Sequence, residues 1–402
     1  MGKLPLEGIR VLDFGWIYAV PHATAWLGAL GADVIKVETD LFRDMIRDVG
    51  ATDGVPGPNR CGIFNAINFS KRSLVLNLHH PEAQEIARRL VRLSDIVTEN
   101  FTVGNMQKFG LDYESLLRVR PDLIMLSGTP LGQSGPMARS VGYGPTTQAF
   151  AGMCHLTGYP GRYPCGTGGT WPDFAVGVLM VFLTLCALHH RDATGEGQYL
   201  DLSMAEVVTS MLPEAMLEFF LNGVSLEAVG NRDPAMAPHG VFAASGDERW
   251  VALAIATDAE FEMLCEVLGE PRLAADPRFA HAGGRLENVD ALEAEIARLV
   301  RSFDRDELVA RLCQRGLAAC AVYSTPELMN DSAWRESQMR VTVSHPECGE
   351  RIIPGLPVEF SDIQPGYRAA PLLGGDTDRI LSELLGFSTA EIERLKRERV
   401  TV

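Results

Sequence analysis

The feature that most constrains the fold of this chain is a strand, helix and strand pattern within its first 40 residues. A short apolar strand at Gly8–Phe14 is followed by an apolar helix at Ala19–Leu30 and a second strand at Ala32–Glu38. Strands joined by a helix of this length run parallel, because the helix carries the chain back to the end of the sheet at which the first strand began. The pattern continues with a helix at 81–93, a strand at 95–98, a helix at 113–119 and a strand at 122–126. The sequence therefore predicts an open, doubly wound α/β domain with ligands at the carboxyl ends of its strands.

The rest of the chain predicts a second, smaller domain. With 402 residues the chain exceeds what one ordinary core encloses. A stretch rich in Gly, Pro and Asn at 222–240 is typical of a domain boundary. The segment that follows, 241–316, combines a hairpin pattern with helical patterns, and strand character returns at Ala319. We therefore expect a large α/β domain and a small α+β domain.

Composition excludes several classes of function. The net charge of −16 argues against nucleic acid or an anionic membrane as a partner. The longest apolar run, Phe174–Leu188, is shorter than the roughly 20 residues of a membrane helix and predicts a buried core helix. The start of the chain lacks a secretory signal, and the eight cysteines form no CxxC pair, so we expect a cytoplasmic protein without a metal site. No GxGxxG follows the first strand, which argues against a nicotinamide or flavin enzyme.

Eight short motifs, in a fixed order along nearly the whole chain, carry a resemblance to a known family. They are Gly8-Ile-Arg-Val-Leu-Asp, Leu30-Gly-Ala-Asp-Val-Ile-Lys-Val-Glu, Asn68-Phe-Ser-Lys-Arg-Ser-Leu-Val-Leu-Asn, Glu99-Asn-Phe, Lys108-Phe-Gly-Leu, Gly132-Gln-Ser-Gly-Pro, Arg191-Asp-Ala-Thr-Gly-Glu-Gly-Gln and Leu373-Gly-Gly-Asp-Thr-Asp. Together they resemble the family III CoA transferases, which include formyl-CoA:oxalate and carnitine CoA transferases. No single motif is specific; their order and spacing are.

The resemblance implies a particular architecture. It implies a Rossmann-like large domain built from both chain ends, 1–205 and 317–402, a linker at 206–229 and a small α+β domain at 230–316. It also implies that two chains interlock as linked rings. A homodimer is expected, and a heteromer with a paralogous subunit is the alternative.

Asp173 is the candidate catalytic residue. On sequence alone, an aspartate before an apolar helix is a plausible helix N-cap. The resemblance implies that Asp173 is a nucleophile, and the two roles are compatible. A carboxylate with an ordinary pKa of about 3.9 is ionised near neutral pH and needs no general base. It is expected to form a mixed anhydride and then an aspartyl-CoA thioester. The preceding turn, Gly166–Thr170, either supplies oxyanion donors or is only a tight turn.

The resemblance also assigns two sets of binding residues. The coenzyme A site is expected to include Tyr18, Ala19, Lys71, Arg72, Asn100, Phe101 and Lys108. The substrate pocket is expected to include Tyr143, Gln148, Met236 and His239. For the two aromatic residues, Phe101 and Tyr143, packing in the protein core is the alternative to a role in binding. Lys108 stands where relatives carry arginine, which keeps the charge and loses the two-pronged hydrogen bond. Coenzyme A is expected as a substrate, with no permanently bound cofactor.

The acceptor acid is predicted from one loop. Where oxalate-using relatives carry a glycine-rich loop, this chain has Asp233–His239, with two prolines and Met236. Such a loop is stiffer and more apolar. We therefore expect it to close over Asp173 and to favour a larger acid, such as a substituted succinate with succinyl-CoA as donor.

Three other functions are alternatives to a CoA transferase. An α-methylacyl-CoA racemase needs two opposed acid/base groups, and the histidine that racemases carry before Tyr143 is absent. A non-catalytic subunit of a heteromeric transferase is the alternative from another class. A serine hydrolase is disfavoured, because no GxSxG elbow is present.

Overall fold

The computed structural model describes residues 3–51 and 53–402. The strands are β1 Arg10–Asp13, β2 Asp33–Glu38, β3 Lys71–Val75, β4 Ile96–Glu99, β5 Ile124–Thr129, β6 Tyr199–Ser203, β7 His239–Ala243, β8 Trp250–Ala254, β9 Ala318–Val322, β10 Arg340–His345 and β11 Gly349–Pro354. The first nine helices are α1 Ala19–Ala29, α2 Gly62–Ile67, α3 Pro81–Arg92, α4 Asn105–Lys108, α5 Tyr113–Leu117, α6 Gly144–Phe150, α7 Met153–Leu156, α8 Trp171–Thr194 and α9 Met204–Ser210. The others are α10 Pro213–Asn222, α11 Asp258–Val267, α12 Ala282–Glu287, α13 Val289–Val300, α14 Arg305–Gln314, α15 Thr325–Asn330, α16 Ser332–Glu336, α17 Thr377–Leu385 and α18 Thr389–Arg397, with 3₁₀ turns at Met45–Asp48 and Pro271–Ala275.

A six-stranded parallel sheet is the centre of the first compact unit, which comprises residues up to 154, 166–224 and 336–402. Its strand order is β3-β2-β1-β4-β5-β6, and every neighbouring pair is parallel. The predicted mixed α/β fold with a large parallel sheet is confirmed. The strand order reverses between β1 and β4, which is where a crevice opens at the carboxyl ends of such sheets.

Helices cover both faces of this sheet, which explains why its strands are almost continuously apolar. Along each strand, successive side chains point to opposite faces. On one face, Val11, Val34 and Ile96 pack with side chains of α1 and α8. On the other face, Leu12, Ile35 and Val97 pack with α3, α17 and α18. The last two helices come from the C-terminal end of the chain, so both chain ends build this unit.

Helix α8 is longer than the apolar run predicted from the sequence, at 24 residues. Its length and composition would allow it to cross a membrane, and it is one such helix found in the described ranges. Half of its most apolar window is buried, and core helices of soluble proteins pass the same test. The buried side includes Val176 and Met180, whereas Phe182 is 60% exposed. The expected core helix therefore has a second, uncovered apolar face.

The second compact unit comprises residues 155–165 and 225–335. Its antiparallel sheet has the order β7-β8-β9, and α11, α13 and α14 pack on it around an apolar core.

The bounds of the units differ from the predicted domains at three places. Strand β9 was expected to begin the return to the large domain at 317, but it pairs with β8, and the return comes at Glu336. Residues 206–224, predicted as linker, belong to the first unit, where they form α9 and α10. Residues 155–165 belong to the second. Strand patterning reveals that β9 exists but not which sheet it joins.

Candidate active site

A buried carboxylate, Asp13, organises the loop between β1 and α1. Its side chain is completely buried. Its Oδ1 accepts hydrogen bonds from the Gly15 amide at 2.8 Å and the Thr98 hydroxyl at 3.1 Å. Its Oδ2 accepts from the Thr24 hydroxyl at 2.8 Å and from the Lys71 ammonium at 2.9 Å. Burial opposes ionisation, but the charges of Lys71 and Lys36, together with the hydrogen bonds from Lys71 and Thr24, hold the pKa of Asp13 below its ordinary value.

A second buried pair fixes the rest of this loop. The Lys36 ammonium donates to the Gly15 carbonyl and lies 3.3 Å from Asp44 Oδ2. Asp44 Oδ1 in turn accepts from the Ile17 amide at 3.1 Å. Ile17 has a φ of 68°, which a β-branched residue adopts only where its surroundings impose it. The loop that carries Trp16, Ile17 and Tyr18 is therefore held on two sides by buried charges.

The structure gives the Lys71 and Arg72 side chains structural partners. The Lys71 side chain is 0% exposed and is bonded to Asp13 and Asn68. Burial, more than the opposing charge of Asp13, lowers the pKa of Lys71 to about 8. Arg72 binds Asp33 with two of its nitrogens. The expected phosphate contacts of these two cations would require both ion pairs to open, because neither side chain is free at the surface.

Asn100 and Phe101 lie at the point where the strand order reverses. The Asn100 side-chain amide donates to the Trp16 carbonyl at 2.7 Å, and its oxygen accepts from the Trp16 amide at 2.8 Å. The Phe101 ring meets the Trp16 ring edge to face, with centroids 5.6 Å apart. The two predicted residues thus lock the turn after β4 to the loop after β1.

An aromatic cavity of about 270 Å³ opens at the carboxyl ends of β1 to β4. Its aromatic walls are formed by Phe14, Trp16, Phe42, His79, Phe101 and Phe109. Asn77 and Asn105 add polar groups. The predicted cation Lys108 ends α4 and donates to Asn105 Oδ1 at 3.1 Å, so it lies beside this cavity with its side chain exposed. Of these six aromatic residues, Phe101 alone is among the predicted coenzyme A residues.

Asp173 lies in the first turn of α8, as its third residue. Thr170 occupies the N-cap position, and the Asp173 amide donates to the Thr170 carbonyl at 3.0 Å. The interpretation of Asp173 as the N-cap is therefore wrong. Pro172, the second residue of the helix, explains why the helix begins before Asp173, because proline is favoured in the first turn of a helix.

The Asp173 carboxyl is buried, and no ionic partner lies beside it in residues 3–51 and 53–402. Its Oδ2 has no hydrogen-bond partner within those ranges, and burial raises the pKa of Asp173 to about 6. A Cβ on Gly144 would lie 2.2 Å from this oxygen, so only glycine leaves room for it there. Tyr18 lies near the Asp173 carboxyl. Burial raises the pKa of the Tyr18 hydroxyl, and the charge of Asp173 raises it further. The next residue, Phe174, packs on Tyr18 and His22 with ring centroids 5.8 and 5.0 Å apart.

Gln148 and the glycine turn are joined by hydrogen bonds. Gln148 is buried, and its Oε1 accepts from the Thr167 amide at 2.9 Å and the Thr167 hydroxyl at 3.0 Å. The turn needs Gly168 and Gly169 for their positive φ angles of 84° and 54°. Gln148 thus supports the turn that precedes Asp173. Tyr143, just before α6, has a half-exposed side chain.

The other two predicted pocket residues, Met236 and His239, belong to the second unit. His239 begins β7, and its Nδ1 contacts the Asn231 carbonyl. It lines a cavity of about 340 Å³ together with Tyr159 and Arg232. Arg232 binds Glu293 through Nε at 3.1 Å. The predicted closure of this loop over Asp173 stays a prediction.

The unpaired carboxyl of Asp173 leads to a stability prediction. Its folded pKa of about 6 lies above the unfolded value of 3.8, so keeping it ionised at neutral pH destabilises the folded state. Replacing Asp173 with Asn should therefore stabilise the protein near pH 7, by up to about 3 kcal/mol. The gain should shrink as pH falls through 6 and vanish below about pH 3, where the carboxyl is neutral in both the folded and the unfolded state. Urea unfolding at several pH values measures it, and an Asn variant less stable than the parent at pH 7 would contradict the assignment.

The chain is similar over nearly its whole length to proteins of one family. The sequence model of CoA-transferase family III matches residues 6–377. The chain is 33% identical over 402 residues to the succinyl-CoA–L-malate CoA-transferase alpha subunit of Chloroflexus aurantiacus, covering 99% of this chain and 93% of that protein. It is 32% identical over 388 residues to the succinate–glutarate CoA-transferase of Agrobacterium fabrum, covering 95% and 96%. A CAIB/BAIF family protein from Brucella suis superposes with a TM-score of 0.87 at 31% identity, covering 95% of this chain and all of that one. This chain belongs to CoA-transferase family III and is a CoA transferase.

Proposed function

We propose that this enzyme moves coenzyme A from succinyl-CoA to another carboxylic acid, with Asp173 as the covalent nucleophile. The observation that supports this best is the buried, unpartnered Oδ2 of Asp173. A structural carboxylate in this chain, such as Asp13, is buried with cations and several donors. Asp173 instead has a carboxylate oxygen that no donor among the described residues contacts, and this oxygen would be available to attack a carbon.

The proposed reaction has four balanced steps. The Asp173 carboxylate attacks the thioester carbonyl of the donor, and the C–S bond breaks to give a mixed anhydride and free CoA thiolate. The thiolate attacks the Asp173 carbonyl, and the donor acid leaves as a carboxylate. The acceptor carboxylate then attacks the carbonyl of the aspartyl-CoA thioester, and the C–S bond breaks to give a second mixed anhydride and free thiolate. The thiolate finally attacks the acceptor carbonyl and frees Asp173. Each step exchanges groups of similar energy, so no nucleotide is consumed.

The environment of Asp173 suits this chemistry. With a pKa of about 6 the carboxyl is ionised at neutral pH, yet it is more basic than an exposed aspartate and so a stronger nucleophile. Phe174 and Tyr18 lie beside it and reduce its contact with water. Exclusion of water protects an anhydride from hydrolysis. Backbone amides of the turn that Gln148 supports are the proposed oxyanion donors.

The loop between β1 and α1 relates the two parts of the proposed substrate. Phe14 and Trp16, at its start, line the aromatic cavity, which we assign to the adenine ring. Tyr18, at its end, lies near Asp173. Coenzyme A running along this loop, past Ala19 at the start of α1, would bring its thioester to the nucleophile. Lys108 beside the cavity is the proposed phosphate contact, whereas Lys71 and Arg72 act by holding the loop and the sheet.

The acceptor is proposed to be a dicarboxylate of four or five carbons. The two relatives described above are named for malate and glutarate with succinate or succinyl-CoA. The loop Asp233–His239, with Met236, adds the stiffness and apolar surface expected of a pocket larger than one for oxalate. The cytoplasmic location expected from composition stays a prediction.

A panel of acids tests this function. The purified chain, with succinyl-CoA as donor, should form new thioesters with dicarboxylates such as L-malate or glutarate much faster than with oxalate or formate. Asp173→Ala should lower turnover by roughly ten-thousandfold, as expected for a lost covalent nucleophile. Asp192→Ala, at the exposed far end of the same helix, is the matched control and should leave turnover unchanged.

Two results would contradict the proposal. Full activity of the Asp173→Ala variant would exclude the nucleophile, and efficient use of formyl-CoA with oxalate would exclude the acceptor class. If the chain is inactive until a homologous chain is added, it is a subunit of a heteromer, as the name of the Chloroflexus relative would suggest.

We further propose that two copies interlock as linked rings. Uncovered apolar side chains support association: Phe174, Val178, Phe182 and Leu185 follow one face of α8, at 37 to 60% exposure. Helix α10 adds Leu217, Phe219, Phe220 and Leu221, all more than half exposed. Apolar faces of this extent are typical of protein interfaces.

Sedimentation at nanomolar concentration tests the interlocked dimer. Linked rings separate only if a chain opens, so dilution should leave the dimer intact, with no folded monomer. An ordinary dimer would dissociate reversibly on dilution. A compact species of 43.8 kDa, the mass of one chain, would contradict the proposal.

A further inference from the structure

Glu99 is a buried carboxyl that the transfer reaction does not use. It ends β4 immediately before Asn100 and Phe101, and it is 2% exposed. Its Oε2 accepts a hydrogen bond from the Phe101 amide at 2.7 Å. Its Oε1 accepts from the Gln133 side-chain amide at 3.2 Å. Through these bonds Glu99 connects the turn after β4 to the turn after β5.

The charge of Glu99 is supported by neutral donors. The other buried acids near this edge have cations, as in the pairs Asp13–Lys71 and Glu38–Arg47. In the part of the chain that the structure describes, Glu99 has no such ion pair, and burial raises its pKa to about 7. Its surroundings add little positive charge. The ionisable groups that share its cavity of about 320 Å³ are Asp112, Tyr113, Glu114, Arg139 and Tyr199, and Asp201 is near enough to oppose its ionisation.

Phe101 is where this carboxyl meets the aromatic cavity. Its ring lines that cavity and lies edge to face on Trp16, whose backbone is bonded to Asn100. Its amide has Glu99 as acceptor. The orientation of the Phe101 ring therefore depends on how strongly Glu99 holds the amide, and an ionised acceptor holds an N–H more strongly than a neutral one.

We propose that Glu99 is a positioning residue for coenzyme A, which fixes the Phe101 ring on the wall of the aromatic cavity by binding the Phe101 amide. This inference rests on the proposed assignment of that cavity to coenzyme A. Because Glu99 titrates near neutral pH, the affinity for coenzyme A should follow its ionisation. Affinity should rise as pH increases through 7 and fall as Glu99 becomes protonated.

Calorimetric titration of coenzyme A into the full-length protein tests this inference. From about pH 6 to about pH 8, the parent protein should bind coenzyme A roughly fivefold more tightly at the upper end, the gain expected when a neutral hydrogen bond becomes charge-assisted. Glu99→Gln keeps the size and an acceptor oxygen but cannot ionise, so this extra pH dependence should disappear. The ionisation of the coenzyme's own phosphate is common to both proteins and cancels in the comparison.

Glu114→Gln is the matched control, because Glu114 lines the same cavity on an exposed site and makes the same chemical change. It should bind like the parent at every pH. A double-mutant cycle with Phe101→Leu then tests the route of the effect. If Glu99 acts through the Phe101 ring, Phe101→Leu alone should also lose the extra pH dependence of coenzyme A binding. This comparison with the parent tests the route even if Glu99→Gln folds poorly.

The outcomes separate this inference from the function on which it rests. A parent protein that fails to bind coenzyme A would contradict the assignment of the cavity. Binding with the same pH dependence in the parent and in Glu99→Gln would overturn the role of Glu99 and leave the transferase proposal intact. An equal pH dependence of coenzyme A binding in the parent and in Phe101→Leu would also overturn the role of Glu99.

Discussion

The hydrogen bonds and ion pair of the buried Asp13 carboxylate are the interaction on which the rest of the site depends. They join β1 to β4 through Thr98, to α1 through Thr24 and to the start of β3 through Lys71. They also fix the Gly15 amide, and thus the loop that leads from the aromatic cavity to Tyr18. Removing one partner of such a buried pair costs about 3–5 kcal/mol. The geometry of both proposed substrate regions therefore depends on buried charges beneath the loop.

Charge pairing distinguishes structural carboxyls from the two carboxyls to which we assign functional roles. Asp13 and Glu38 are buried with cations, and their pKa values lie below the ordinary range. Asp173 and Glu99 are buried without a paired cation in the described residues, and burial raises their pKa values to about 6 and about 7. A buried charge without a partner is costly and persists where function requires it. In the roles that we propose, Asp173 uses its charge to attack a thioester carbon, and Glu99 uses its charge to hold a backbone amide.

The sequence predicted the features that depend on local patterns and missed those that depend on distant partners. The alternation of strands and helices predicted the parallel sheet. The family resemblance named Asp173 as the nucleophile, and that role stays a prediction. The sequence does not reveal that the Lys71 ammonium lies against Asp13, 58 residues away. The expected phosphate contact of Lys71 stays a prediction. The aromatic cavity was mostly missed, since Trp16, Phe42, His79 and Phe109 come from four separate loops. Trp16, in place of a glycine-rich turn after the first strand, was the one local signal.

Isotope transfer into Asp173 tests the covalent mechanism most directly. The enzyme would be incubated with succinyl-CoA and an acceptor acid whose carboxylate carries a heavy oxygen isotope, and the peptide that contains Asp173 would be weighed by mass spectrometry. When the CoA thiolate attacks the acceptor carbonyl of the anhydride, one acceptor oxygen stays on the aspartate. Heavy oxygen is expected in Asp173 and in no other carboxyl, and then in the succinate released by later turnovers. Formation of the new thioester while Asp173 keeps only light oxygen would contradict it.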